Sequence, residues 1–387
     1  MDVFDVVVIG AGPAGLGFVR SLQGSGLKVA VVERLSEDVL ADPPEDGRDI
    51  ALTHASEEIM QKLGMWQHIP EGSYGVIKDA KVVNGRSDYA LHFESAGSGY
   101  LGRIVPNHLI RRAAYAEVKD LPDVTLMCGV SVEEVSTGRV GLDDGRVLEA
   151  SLVVAADSRF SETRRKMGIG AEMEDFGRVV IVCEMAHALP HGGVAVECFH
   201  YDQTLAILPM HGEVSSVVVT LASDKAEAAM AMPDAAFAAD IQARFGEKLG
   251  KMELVSKRVA YPLVGVFAKR FVAPRFALVG DAAVGMHPVT AHGFNLGLTG
   301  GTLLADAVKQ AAAEGRDIGE IGVLARYERA HRKVARPLYL GTNALVKLYT
   351  DTRIPARILR GAALRLGNVL PPVKARIVRQ LTQNAEM

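Results

Sequence analysis

The sequence predicts an α/β protein in which a parallel sheet with covering helices is interleaved with an antiparallel sheet and followed by a C-terminal helical segment. Three observations support this prediction. Two stretches, one at the N-terminus and one near residue 280, each contain a buried strand, a glycine-rich turn and a helix. The residues between them alternate at the two-residue period of half-buried strands, and the C-terminal stretch has apolar residues at helical spacing.

The first strand–turn–helix unit begins with a continuous apolar run, Val6 to Ile9, which is typical of a strand buried on both faces of a parallel sheet. The turn supplies the small residues of a G-x-G-x-x-G motif, which are Gly10, Gly12, Pro13, Ala14 and Gly15. In such motifs the first glycine permits a tight turn, the second admits a pyrophosphate, and the third lets the helix approach the strand. The free amides of the helix N-terminus bind phosphate, so this unit predicts a Rossmann-like dinucleotide site.

A second apolar strand ends at Glu33 and is followed by Arg34. A carboxylate about 20 residues after the glycines accepts a hydrogen bond from a ribose hydroxyl in such sites. Arg48 lies at the next loop-to-helix junction, where a guanidinium is well placed to contact a phosphate. A solvated surface arginine is the alternative for Arg48.

Composition narrows the class of protein. A net charge of −3 over 387 residues gives no sign of a nucleic-acid-binding protein. No apolar run approaches the ~20 residues that cross a bilayer, and the first strand begins too early to leave room for a signal peptide. The cysteines are odd in number and far apart, which is typical of a reducing compartment: Cys128, Cys183 and Cys198. We therefore expect a cytoplasmic protein, or one that lies on the cytosolic face of a membrane.

The middle of the chain is mostly strand-like, from residue 76 to 93 and from 179 to 222, as expected for a second lobe with an antiparallel sheet. The segment from Gly97 to Gly102 also fits G-x-G-x-x-G, but no apolar strand precedes it and Pro106 follows too soon for a helix. It predicts a loop, not a second nucleotide fold. His187 and His191 are separated by Pro190, so we expect no metal site there.

Two further strands end in acidic residues. One ends at Asp157, just before a helix start at Ser161, and the other ends at Gly280-Asp281. Acidic residues at the carboxyl ends of buried strands lie where open α/β sheets bind ligands. After Asp281, a loop with Pro288 and Gly293 leads into a long helix, which could bring backbone amides to an electron-rich ring.

The C-terminal segment 347–387 has eight basic residues and two acidic ones. Its apolar residues form one face of a short helix, flanked by Arg357, Arg360 and Arg365. Such a basic amphipathic segment can lie on anionic lipid, dock to a partner complex, or cover the protein's own body, and the pattern leaves these three open.

Together the two glycine-centred stretches resemble the flavoprotein aromatic hydroxylases built on the p-hydroxybenzoate hydroxylase fold. Three flavin signatures of that family occur in order: Gly10-x-Gly12-x-x-Gly15 with Glu33, then Ala156-Asp157-Ser158, then Gly280-Asp281 followed by Pro288. Within the family, the segments 287–297 and 370–374 look like those of the ubiquinone-biosynthesis hydroxylases. The chain departs from the family pattern at Ser158, at Ala291-His292 and at Gly300-Gly301.

The resemblance implies FAD as the cofactor, with NAD(P)H or an external electron donor as the reductant. The implied activity is hydroxylation of the aromatic ring of a polyprenylated phenol or quinol in ubiquinone biosynthesis by O2, through a flavin hydroperoxide. No side-chain nucleophile is needed, because the cofactor carries the difficult chemistry. His287 and His292 are candidates for assisting deprotonation of the phenol. The cofactor-binding residues expected are Gly10, Gly12, Pro13, Ala14, Gly15, Glu33, Arg34, Arg48, Asn107, Asp157, Gly280, Asp281, Pro288, Gly293, Phe294, Asn295 and Leu296.

The expected organisation has FAD-binding parts at 1–75, 101–175 and 271–330, substrate-domain parts at 76–100 and 176–270, and basic amphipathic helices at 331–387. Three alternative functions remain open. The first is a hydroxylase of a soluble aromatic compound, and the second is an isoprenoid reductase or epoxidase on the same fold. The third is a prenyl-chaperone-like protein without redox chemistry.

Overall fold

The structure is a computed structural model that describes residues 2–84, 90–95, 99–200, 203–287, 292–350 and 353. In chain order its strands are β1 (Asp2–Ile9), β2 (Val29–Glu33), β3 (Asp49–Leu52), β4 (Gly75–Ile77), β5 (Asp79–Asn84), β6 (Ala90–Glu94), β7 (Gly102–Pro106), β8 (Val124–Cys128), β9 (Val132–Ser136), β10 (Arg139–Leu142), β11 (Val147–Ala155), β12 (Ala171–His187), β13 (Val194–Phe199), β14 (Gln203–Pro209), β15 (Val214–Ala222), β16 (Met252–Leu254), β17 (Val259–Ala268), β18 (Val272–Ala273), β19 (Phe276–Leu278) and β20 (Val284–Gly285).

The helices are α1 (Pro13–Ser21), α2 (Glu37–Ala41), α3 (His54–Lys62), α4 (Asn107–Ala116), α5 (Glu162–Lys166), α6 (Ser223–Ala231), α7 (Asp234–Phe245), α8 (His292–Ala313) and α9 (Ile321–Thr350). Short 3-10 turns span Met65–His68 and Gly280–Ala282.

The first sheet has the order β18-β19-β11-β1-β2-β8, with the β9–β10 hairpin joined to β11. Its central pairs, β1 with β2, β1 with β11, and β11 with β19, are all parallel. Parallel strands bury both faces, and the run Val6 to Val8 is fully buried between helices. The parallel pairing places the carboxyl ends of β1, β11 and β19 at one edge of the sheet. Gly10, Asp157 and Gly280 follow these strands, so they lie at that same edge.

The second sheet has the order β20-β17-β12-β15-β14-β13-β5-β6, and all of its pairs except β13 with β5 are antiparallel. One face packs against α7 through buried residues such as Val196 and Phe237. The predicted α/β class, a Rossmann-like sheet interleaved with an antiparallel sheet, is therefore confirmed. Where one part ends and the next begins remains a prediction.

A small third sheet, β3-β7-β4, connects the two larger ones. Its β4 overlaps the start of the segment 76–93 that was predicted as part of the second lobe, yet it pairs with β7 through Ile77 and Gly102. Gly102 thus opens a strand, so no helix begins on the third glycine of the segment 97–102. Gly97 and Ser98 of that segment lie outside the described residues.

The long helix α8 is surrounded on two sides by other helices. A Cβ atom on Gly301 would lie 3.3 Å from the Ala14 carbonyl oxygen of α1, and one on Gly300 would lie 2.8 Å from Nε2 of His331 in α9. His331 is itself buried and stacked on Tyr327. The two glycines that depart from the family pattern are therefore contact points at which neighbouring helices approach the α8 backbone.

The predicted C-terminal helices at 331–387 are described only in part. Residues 331–350 continue one helix, α9, which includes Pro337, and residues 354–387 lie outside the described part of the chain. No helix in the described ranges is long and apolar enough to cross a membrane.

We predict that Gly300→Ala destabilises the protein, because the new methyl group overlaps the buried imidazole of His331. Overpacking of this kind lowers the free energy of unfolding by about 1–3 kcal/mol. Gly341→Ala is the matched control, since Gly341 is exposed in α9 and no atom lies within 4 Å of its added Cβ. The free energy of unfolding of Gly341→Ala should rise by up to about 1 kcal/mol, because alanine has a higher helix propensity than glycine. Thermal unfolding should show a lower midpoint for Gly300→Ala only, and equal midpoints would contradict the contact.

Candidate functional site

The first motif forms a turn in which the first and third glycines leave no room for a side chain. Gly10 has φ +106°, and a Cβ atom there would lie 2.6 Å from the carbonyl oxygen of Ala156. A Cβ on Gly15 would lie 2.2 Å from the carbonyl oxygen of Gly10. By contrast, a Cβ on Gly12 meets no described atom within 4 Å. The turn is thus closed at Gly10 and Gly15 and open at Gly12, which is the N-cap of α1.

Glu33 lies at the carboxyl end of β2 and holds the turn in place. The Ala11 amide donates to Oε2 of Glu33 at 2.7 Å, and the Leu35 amide donates to Oε1 at 3.0 Å. A carboxylate oxygen can accept more than one hydrogen bond, so this arrangement leaves Glu33 able to accept from a ribose hydroxyl as well. Arg34, the next residue, is exposed.

The second motif lies directly against the first. Asp157 follows β11, and its Oδ2 accepts from the Thr163 amide at 3.4 Å. Its Oδ1 is buried and has no hydrogen-bond partner among the described residues. A buried carboxylate oxygen without a partner is costly, which fits a group that binds a ligand hydroxyl or an ordered water.

The third motif reaches the same edge from β19. Gly280 has φ +60°, and a Cβ atom there would lie 2.9 Å from the Cβ of Ala14. The neighbouring Asp281 is partly exposed and accepts from Nη2 of Arg159 at 3.1 Å. The three motifs therefore converge on α1, as the sequence predicted from the ends of parallel strands.

A buried arginine joins the second and third motifs. Arg164 is 2% exposed, and its Nη1 donates to the carbonyl oxygens of Ala282 at 2.8 Å and Arg159 at 3.1 Å. Ser161 caps the start of α5 by accepting from the Arg164 amide. The backbone of the Gly280–Ala282 turn is thus fixed relative to Asp157.

Arg48 and Asn107 meet at a shared carboxylate. Arg48 donates to Asp46 through Nη2 at 2.5 Å, and Asn107 donates to the same oxygen at 2.8 Å. Burial raises the pKa of Asp46, but the bonds from Arg48 and Asn107 outweigh it and hold that pKa below its usual value. Arg48 remains about half exposed at the head of β3, so its guanidinium is accessible to a phosphate.

The first turn of α8 contains Asn295, which holds the helix in place, and Gly293, which no side chain of a described residue approaches. The fully buried side chain of Asn295 donates to the Ala51 carbonyl at 2.8 Å and accepts from the Thr53 amide at 3.1 Å, which ties α8 to β3. Leu296 is buried and Phe294 is half-buried in the main core. A Cβ on Gly293 would meet no atom of the described residues within 4 Å. Pro288 lies outside the described residues.

The two candidate histidines are both buried. His287 packs edge-on against Phe176 at 5.1 Å. Burial, with Arg159 and Arg178 nearby, lowers the pKa of His287 to about 4. His292 is the first residue of α8 and is 5% exposed. His287 is therefore neutral at neutral pH and a weak base, and the catalytic role of either residue stays a prediction.

Sequence reasoning missed Asp46, Arg159 and Arg164. Asp46 had a local signal, because it precedes Arg48 by two residues in a turn. Arg159 and Arg164 gave no such signal, since their partners Asp281 and Ala282 are more than 100 residues away. No group of three or more histidines, cysteines or carboxylates suited to a metal occurs among the residues the structure describes.

The converged residues fit a flavin dinucleotide. The open backbone at Gly12 and the N-terminus of α1 suit a pyrophosphate, and Glu33 suits a ribose. Asp157, whose buried Oδ1 has no partner among the described residues, and the partly exposed Asp281 are suited to accept hydrogen bonds from hydroxyl groups of a polyol chain. The open backbone at Gly293 lies at the start of a long helix, whose dipole favours negative charge on a bound ring.

We predict that Gly12→Ala lowers FAD affinity at least tenfold, equivalent to about 1.4 kcal/mol, without destabilising the apoprotein. The added methyl group meets no protein atom but occupies the space expected for the pyrophosphate, and the φ of −71° at Gly12 suits alanine. Gly15→Ala is the contrasting variant, because its methyl group collides with the Gly10 carbonyl. It should lose both stability and FAD. Fluorescence titration with FAD and thermal unfolding of the apoproteins measure both effects; unchanged affinity in Gly12→Ala would exclude a pyrophosphate at this position.

Comparisons with known proteins agree with this geometry. A family model described as FAD binding domain matches residues 3–339. The chain is 49% identical to ubiquinone hydroxylase UbiM of Neisseria meningitidis, over 98% of this chain and 84% of the relative. It is 35% identical to ubiquinone hydroxylase UbiL of Rhodospirillum rubrum, over 94% of this chain and 87% of the relative.

Among solved structures, the chain is similar to PqsL, described as a probable FAD-dependent monooxygenase from Pseudomonas aeruginosa. The TM-score is 0.78 at 21% identity, and the match covers 91% of this chain and 98% of PqsL. The likeness in structure supports the fold, and the family model and the sequence relatives cover nearly the whole chain. The chain therefore belongs to the FAD-binding-domain family, and it is an FAD-dependent monooxygenase.

Proposed function

We propose that this protein hydroxylates the aromatic ring of a polyprenylated phenol or quinol intermediate in ubiquinone biosynthesis. The observation that carries the proposal is the 49% identity to a ubiquinone hydroxylase over nearly the full chain. A second curated ubiquinone hydroxylase at 35% identity supports the same activity. When bound, FAD supplies the activation of O2 and the transfer of one oxygen atom.

The chain's own residues bind the cofactor and provide a surface for an apolar substrate. The face of the antiparallel sheet opposite α7 has an apolar cluster that includes Val180, Val182 and Leu263. Gly47, which precedes Arg48, lies close to the Val182 and Val259 side chains, since an added Cβ would be 3.2 and 3.3 Å from them. The expected phosphate-binding loop thus contacts the apolar face, as a site that excludes water around a ring requires.

The alternatives predict different substrates. A soluble aromatic acid would need cationic groups for its carboxylate, whereas the cluster around Val182 is aliphatic and aromatic. A prenyl-chaperone has no need of an ordered cofactor site. We propose NAD(P)H or a separate electron donor as the reductant; anaerobic bleaching of bound FAD by NADH or NADPH distinguishes these two.

We predict that the gene restores ubiquinone in a bacterial host that lacks one of its ubiquinone hydroxylases. Mass spectrometry of the quinone pool should show loss of an intermediate short of one hydroxyl group. Growth under ¹⁸O2 should label the new hydroxyl with one heavy oxygen atom. The Gly12→Ala gene is the matched control and should not restore the pool. A host that keeps the deficient quinone with the wild-type protein expressed and FAD-loaded would exclude the tested hydroxylation step.

The basic segment 347–387 is proposed to contact a membrane surface or a ubiquinone-biosynthesis complex. We predict that the triple variant Arg357→Gln, Arg360→Gln and Arg365→Gln loses most co-sedimentation with anionic liposomes, because basic residues near such a surface contribute about 1 kcal/mol each. A triple variant of Arg326, Arg329 and Lys333 on α9 is the control with equal charge removed. Equal liposome binding by wild type and the tail variant would favour docking to a partner.

A further inference from the structure

One row of side chains crosses the antiparallel sheet on the face opposite α7. The register places Leu91, Val82, Glu197, Ala206, Val218, Val182 and Val259 side by side on successive strands. Paired residues of neighbouring strands point to the same face. Glu197 is therefore a single carboxyl in a row of aliphatic side chains.

Part of this row retains accessible surface. Val82, Glu197, Val218 and Val259 are each half-buried, so their side chains retain accessible surface. Residues of the same strands that point the other way, such as Val196 and Cys198, are buried against α7. The other members of the row, Leu91, Ala206 and Val182, are buried. The face with Glu197 is thus packed less completely than the opposite face.

Three elements outside this sheet border the row. At one end, the row finishes at Val182 and Val259, which lie against Gly47. Beside Glu197, Phe199 stacks on Tyr349 of α9 with ring centroids 3.9 Å apart. On the other side, Ala195 packs in a cluster with Ile77 and Ile104 of the small sheet. Glu197 is thus enclosed between α9 and the small sheet, and its row leads to the loop that carries Arg48.

We propose that Glu197 is the acid–base residue that accepts the proton of the substrate's phenolic hydroxyl. This inference rests on the proposed function. In the step, the phenolic O–H bond breaks and the proton bonds to a carboxylate oxygen of Glu197. The electron pair stays on the phenolate oxygen, which raises the electron density of the ring carbon to be hydroxylated. No net charge is created, since the negative charge moves from the carboxylate to the phenolate.

The proton affinity of Glu197 suits this role. Burial raises the pKa of Glu197 to about 8, although the Thr204 hydroxyl opposes part of that rise. A base whose pKa lies nearer to that of a phenol transfers protons more readily than an ordinary carboxylate. His287, with a pKa of about 4, matches a phenol less well.

Other ionisable groups face the same region from neighbouring elements. Glu184 of β12 and Tyr261 of β17 lie on the same sheet face, and Tyr349 approaches from α9. Asp49 of β3 faces Ser216, and burial raises its pKa to about 7. Asp49 is adjacent to Arg48 at the cofactor end, so it is the group from which Glu197 must be distinguished.

The test compares Glu197→Gln with Asp49→Asn and with Glu184→Gln, using FAD-loaded enzymes, a polyprenylphenol and O2. For the wild type, the rate of hydroxylation should rise about tenfold per pH unit below pH 8 and level above it, because only the carboxylate accepts the proton. Glu197→Gln should lower kcat about 10²–10⁴-fold and abolish this rise. Asp49→Asn should keep the rise near pH 8, and Glu184→Gln should match the wild type.

Hydroxylation by the wild type establishes the proposed function, so the two ideas fail separately. A wild-type rate that is flat between pH 6 and 9 overturns the inference even if Glu197→Gln does not fold. A Glu197→Gln variant with bound FAD and an unchanged pH profile overturns it as well, as does loss of the pH dependence in Asp49→Asn alone. Glu197→Asp should restore the pH dependence at a reduced rate, which a purely structural carboxyl would not do.

Discussion

The structure depends on one close approach of backbone at the carboxyl edge of the parallel sheet. Gly10, Gly15 and Ala156 lie so near to one another that a single added methyl group on either glycine would overlap a carbonyl oxygen. This contact brings the start of α1 against β11 and sets the turn that is predicted to bind a pyrophosphate. Gly280 extends the same contact to β19, since its own backbone faces Ala14. Because three strands end at this edge, three short segments that are far apart in sequence come together where the cofactor is predicted to bind.

The helix α8 connects this edge of the parallel sheet to the small sheet and to α9. Its buried Asn295 satisfies backbone groups of the β3–α3 junction, and its glycines admit α1 on one side and His331 on the other. The polar side chain of Asn295 therefore has a structural role, and a cofactor contact at the Gly293 backbone remains a prediction. Arg164 also has a structural role. Its guanidinium donates hydrogen bonds to the backbone carbonyl oxygens of Arg159 and Ala282, and not to a carboxylate.

Burial decides the protonation of the groups around the proposed substrate space. His287 becomes a weak base because the charged imidazolium would be buried near two arginines. Glu197 and Asp49 become stronger bases because their carboxylates lose water without gaining a cationic partner. Glu197 and Asp49 are therefore carboxyls with raised pKa values, whereas His287, which the sequence suggested as a base, has a lowered one.

The sequence by itself determined the cofactor and the fold class, because those signals are local. Strand, glycine turn, helix and Glu33 fall within one short segment, and hydrophobic periodicity marks the strands of the second sheet. Only the tertiary structure decided that β4 joins the small sheet, that Gly300 receives His331, and that Arg159 pairs with Asp281. It also decided the surroundings of Glu197, which in sequence is an ordinary glutamate within a strand. Sheet register and helix packing join residues that are far apart in the chain, and no local pattern records which of them will meet.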